Sequence, residues 1–128
     1  MQVGQVAKLK DLMLASVKTV CVLQPYQDVL RTDSAAARQA NQHLQVTKFS
    51  ADEGHWAFVF IGDADVRVQR LSRSRRLDIA TGHQDLPSSI RPVECASVSS
   101  GRLMKFQVPD RSVLVLGESR AAPTDSGR

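Results

Sequence analysis

From residue 3 the apolar positions Val3, Val6, Leu9, Leu12, Met13 and Val17 recur at steps of three and four, with Lys8 and Asp11 on the other side. That spacing lays one stripe along a helix and predicts an N-terminal amphipathic helix over residues 3–17. Near Val17 the residues become β-branched and the period falls towards two, which predicts a strand over 17–23. A single longer helix is the alternative. Pro25 stops that strand and suits the first turn of a short helix over 25–30. Asp33 or Ser34 then offers an N-cap for a helix through Ala35, Ala36, Ala37, Arg38 and Ala40 to His43. Ala36 and Ala40 give it a small-residue face that would let another backbone approach closely, so this helix reads as peripheral or as an interface.

Three strands follow by pattern, over 44–51, 55–61 and 65–71. The middle one is apolar on both parities, with Trp56, Phe58 and Phe60 on one face and Ala57, Val59 and Ile61 on the other, as in a sheet interior. Asp52-Glu53-Gly54 and Gly62-Asp63 supply turn chemistry on its two sides. The third strand alternates, Val66 and Val68 inward against Arg67 and Gln69 outward. A short extended piece over 77–80 precedes a loop kept irregular by Pro87 and Pro92. Strands over 93–98, 102–108 and 112–116 make a second meander. The fold class predicted is α+β: the N-terminal amphipathic helix and the small-residue helix packed on an antiparallel meander sheet or partly closed β-barrel of six or seven strands.

Length adds that 128 residues make one domain, here 1–118 with a polar tail over 119–128. A hydrophobic fraction of 42% with 23% charge is globular. No apolar run approaches the roughly 20 residues of a membrane span, and no basic stretch precedes an apolar one at the start, so the expected place is the cytoplasm, or a virion assembled there. Cys21 and Cys95 lie in apolar strand surroundings and are expected as buried reduced thiols, with a disulfide the lesser alternative.

Charge changes the picture more. Arg67, Arg70, Arg73, Arg75 and Arg76 fall within ten residues free of acids, leaving twelve basic against 13 acidic residues elsewhere, so the whole excess of +4 sits in one place. Along a strand running into a loop they form a two-sided comb, Arg67, Arg73 and Arg75 opposite Arg70 and Arg76. Guanidinium forks suit phosphate or carboxylate. With only Asp63, Asp65 and Asp78 flanking the run, counter-charge is expected from another chain's carboxylates or from a phosphate backbone. Loss of Arg73, Arg75 and Arg76 is then expected to spare the melting temperature.

Asp52, Glu53 and His55, Asp63 and Asp65, and His83 and Asp85 are residue types that bind metals or transfer protons, yet each group falls at a predicted turn, which is reason enough for it. No nucleophile elbow, phosphate loop, dinucleotide fingerprint or paired-cysteine motif occurs. No catalytic residue, metal or cofactor is therefore expected. Trp56 reads as core, and Tyr26, in a polar setting after Pro25, as an interface anchor. Two functions remain: a non-enzymatic interaction or assembly subunit of a multi-copy complex, such as a virus (phage) particle, forming a homo-oligomer or meeting neighbouring subunits; or a nucleic-acid-binding accessory protein using residues 67–76.

Overall fold

The computed structural model describes residues 2–120. In chain order it holds β1 (Val6–Lys8), one helical turn α1 (Leu9–Leu12), β2 (Thr19–Leu23), α2 (Ala35–Val46), β3 (His55–Ile61), β4 (Val66–Ser72), β5 (Asp78–Ala80), β6 (Ile90–Pro92), β7 (Cys95–Ser97), β8 (Gly101–Val108) and β9 (Arg111–Ser119). Strand accounts for 40% and helix for 13%, in two short helices, so the expected α+β domain with helices packed on a meander is overturned. The strands form two sheets. One runs β4-β3-β2-β7, wholly antiparallel; the other runs β1-β8-β9-β5, with β6 also on β9 and β5 parallel to β9.

The double apolar parity of β3 is what makes the layers. Val20, Val22, Trp56, Phe60 and Ala96 face Ile79, Leu103, Leu114 and Leu116 of the other sheet in a shared core. The opposite parity, Cys21, Leu23, Ala57, Val59 and Ile61, takes α2 through Ala37, Ala40 and Leu44. On the far side of the second sheet, Met104, Phe106, Val113 and Val115 are covered by Leu86 of the loop after β5 and Ile90 of β6.

The N-terminal helix is the largest correction. Only Leu9 and Val17 of its stripe are buried, and Val3, Val6 and Leu12 stay exposed. Residues 6–8 instead pair with the edge of β8, and Gly4, at φ +83, donates its N–H to the Lys105 carbonyl. Edge pairing satisfies these backbone groups, whereas the four-residue α1 has no capping side chain and is held by the Met13 N–H to Leu9 carbonyl bond and the burial of Leu9. Gly101 makes room for Leu9, because any Cβ there would collide with it.

The strand expected over 44–51 is also absent. α2, capped by Ser34 Oγ accepting from the Ala37 N–H, continues to Val46. It ends in a Schellman arrangement: Lys48 is left-handed at φ 56, the Phe49 N–H reaches the Leu44 carbonyl at 2.9 Å, and the Lys48 N–H reaches that of Gln45 at 3.2 Å. Strand 93–98 shortens to β7 and joins β2 rather than β8, which breaks the second meander. That register sets Cys21 opposite Cys95, Cα atoms 4.0 Å apart, and the two are disulfide-bonded rather than reduced. Of the expected tail, Ser119 pairs with Ile90 in β6 and the Arg120 N–H bonds the Ser89 carbonyl; the remainder lies outside the described residues. Among the described residues no helix is long and apolar enough to cross a membrane.

Candidate functional site

β4 ends its sheet, and its register with β3 decides where each arginine goes. Phe60 lies opposite Arg67 and Ala57 opposite Arg70, so the two arginines emerge on opposite faces. Arg67 lies over the Phe60 ring, 4.9 Å from its centroid, on the side of the shared core. Arg70 lies over Phe49 at 5.3 Å on the α2 side, donates to the Ser50 carbonyl, and stands 3.6 Å from the Asp52 carboxylate.

Arg73 is used differently. Its Nε contacts both oxygens of Asp78, at 3.0 and 3.1 Å, and its Nη1 donates to the Glu53 carbonyl. Asp78 is 1% exposed and also accepts from Arg111 Nη1 at 2.6 Å and from the Ile79 N–H at 2.8 Å. Burial pushes the Asp78 carboxyl up, but the hydrogen bonds from Arg73, Arg111 and Ile79 outweigh it and hold the group below its ordinary value. Arg111 is held strongly protonated, foremost by Asp110 and then by Asp78. Arg73 therefore finds its counter-charge inside its own chain, which corrects the expectation that another chain or a phosphate backbone would supply it. Arg75 and Arg76 are exposed in the turn to β5, and no carboxylate comes within ion-pair distance of Arg67, Arg75 or Arg76 among the described residues, although Arg75 is near enough to Asp110 to help hold that carboxyl low. Arg75 shares a shallow concavity of about 390 Å³ with Glu53, Arg73, Ser74 and Arg111.

The turn before β3 adjoins this edge. Asp52 Oδ1 accepts from the Gly54 N–H and lies 2.8 Å from His55 Nδ1; that contact leads in holding the Asp52 carboxyl low. Tyr26 donates its N–H to the Asp52 carbonyl, is 69% exposed, and sits at φ 69. Desolvation and the Glu53 carboxylate raise its hydroxyl pKa. An exposed aromatic in the left-handed region is a costly placement by itself. Ala40 is fully buried and Ala36 partly so against their own sheet, so the small-residue face meets β3 and its neighbours rather than another chain.

His83 stacks on Phe106 at 4.2 Å and accepts from the Asp85 N–H, a packing role. Asp65 closes the β3–β4 turn through its carbonyl, which accepts from the Gly62 N–H. Among the described residues no three His, Cys, Asp or Glu are grouped to hold a metal. Sequence reasoning missed the Arg73–Asp78–Arg111 triad, although a lone acid between Leu77 and Ile79 in an apolar strand was a visible signal that it needed partners. No protein family matches the chain, and neither a curated protein nor a solved structure is similar enough to assign one.

Proposed function

We propose that this chain is a non-enzymatic interaction or assembly subunit that engages a protein partner along the arginine-bearing edge of the β4 sheet. It would work in the cytoplasm or in a virus particle assembled there. The observation carrying this reading is that arginines flank a sheet edge on two faces: Arg67, with no carboxylate partner among the described residues, on one, the half-compensated Arg70 on the other, and Arg75 and Arg76 beyond its end. A chain lying along the edge meets all of them. Tyr26, exposed beside Asp52, would add the aromatic anchor that interfaces favour.

The lack of carboxylates within ion-pair distance of Arg67, Arg75 and Arg76 among the described residues also favours a second reading, binding to a nucleic-acid backbone. Light scattering with and without a DNA duplex separates the two. The assembly reading expects complexes or oligomers insensitive to DNA, with the modest salt dependence of a few arginine–carboxylate pairs. The nucleic-acid reading expects affinity that falls steeply with salt, with a slope reduced by about three on replacing Arg67, Arg75 and Arg76 by Ala.

A further inference from the structure

The β3–β4 ladder leaves half of the β4 backbone unused. The Gly62 N–H bonds the Asp65 carbonyl and the Arg73 N–H bonds the Gly54 carbonyl, which places Arg67, Gln69 and Leu71 at the positions that exchange hydrogen bonds with β3. The N–H and C=O groups of Val66, Val68, Arg70 and Ser72 therefore point away from β3, and no strand takes them among the described residues. A seven-residue edge without proline or bulge is a template for strand addition.

We propose that this edge binds an extended, acidic segment of a partner protein by β-strand addition, with carboxylates three residues apart in the partner. The inference rests on the protein-partner reading above and specifies the partner. In a strand added to β4, the residue opposite Arg67 and the residue opposite Arg70 are three apart and lie on opposite faces, whichever way the strand runs. Arg67 falls at a position whose backbone groups turn inward, so in an antiparallel addition its new neighbour belongs to the narrow pair, where side chains come closest. Arg67, having no carboxylate of its own, is the stronger determinant; Arg70 already shares Asp52. A second copy of β4 fits less well, since it would bring two sets of these arginines into one sheet. A phosphate backbone can meet the guanidinium groups but cannot supply the alternating donors and acceptors that the open edge presents.

The test uses the whole chain and a short synthetic peptide carrying Glu-Val-Val-Glu, with a counterpart carrying Lys for Glu. Val68→Pro removes an outward N–H and leaves the β3 ladder its bonds; Val68→Ala is matched for the smaller side chain and keeps the N–H. Expected is binding of the acidic peptide only, retained by V68A and weakened about tenfold or more by V68P and by R67A. Nuclear magnetic resonance of the wild-type chain should show slowed amide exchange at Val66, Val68, Arg70 and Ser72 on adding peptide, a readout that stands even if V68P does not fold. If V68P binds as V68A does while R67A loses binding, or if those amides are unchanged in the complex, strand addition is overturned and the basic-edge reading survives. Equal binding of the lysine peptide, no binding of either, or an oligomer of the free chain that V68P dissociates overturns the acidic partner.

Discussion

The two edges of the β4-β3-β2-β7 sheet are treated in opposite ways. At β7 the edge is fastened: Cys95 is bonded to Cys21, the Ser97 N–H is accepted by Glu118, and Glu94, just before the strand, gathers the loop that follows β2. At β4 the backbone edge is open among the described residues, carries Arg67 and Arg70 on opposite faces, and is tied by side chains, Arg70 to Ser50 and Asp52 and Arg73 to Asp78. A natural sheet blunts an exposed edge with charge, and Arg67 and Arg70 do that against self-association. The same charges leave the edge available to a strand of opposite sign. One edge thus belongs to stability and the other to recognition, and the contrast can be broken from either side.

The largest effect is expected at the fastened edge. Cys21 and Cys95 are 74 residues apart, and in the chain-entropy account a closure of that size stabilises by about 4 kcal/mol. The C21S/C95S variant should lose stability on that scale in urea denaturation while its β4 edge keeps its ligand. A variant that loses ligand without losing stability would join the two edges into one functional unit.

Next is Asp78→Ala, which removes the acceptor shared by Arg73 and Arg111. Arg73 and Arg111 are left partly exposed, so the cost is that of the lost charge-assisted hydrogen bonds and the unpaired Ile79 N–H, about 3 kcal/mol in all. The same carboxyl gives a pH signature. Its folded pKa lies below the ordinary 3.8, so its stabilisation is complete above that value and disappears as pH falls through the lower folded value. Asp52 and Asp110 titrate in the same direction, so the comparison that isolates Asp78 is acid denaturation of wild type against Asp78→Asn. Equal losses in acid for both proteins would remove Asp78 from the account.

Glu94→Ala is a smaller perturbation of the fastened edge. Its Oε1 accepts from the N–H groups of Arg31 and Thr32 and from the Thr32 hydroxyl, and Oε2 from Gln27. Losing an ionised acceptor of this kind costs about 2 kcal/mol. Amide exchange should quicken at Arg31 and Thr32 and remain unchanged in β4.

Much of this contrast is legible in the residues. The both-parity apolar run of β3, the β3–β4 and β8–β9 hairpins and the alternation of β4 follow from period and turn chemistry, and they place Arg67 and Arg70 on opposite faces. What the pattern gets wrong depends on distant partners. The stripe from Val3 to Val17 has helical spacing, yet its residues 6–8 pair with β8 and only Leu9–Leu12 turn helical, a choice no local pattern records. Leu44 to Val46 reads as a strand because a lysine at 48, rather than glycine, takes the left-handed position that ends α2. Cys21 and Cys95 meet because β7 joins β2 across 74 residues, and Arg73 cannot be told from its neighbours until β5 brings Asp78 beneath it.

The smallest effect on the fold is expected from the arginines with no carboxylate at ion-pair distance among the described residues. Replacing Arg67, Arg75 and Arg76 together by Ala removes exposed side chains, of which Arg67 rests on the Phe60 ring, and should move the melting temperature by no more than about 2 °C. Arg73→Ala alone should lower it further, since it leaves buried Asp78 with Arg111 and one backbone donor. The ordering inverts in binding: the triple variant should weaken association and flatten its salt dependence, whereas Arg73→Ala should act on affinity only through stability. If the triple variant proved the less stable of the two and bound its partner normally, all these arginines would belong to the fold, and the open edge would have no role in recognition.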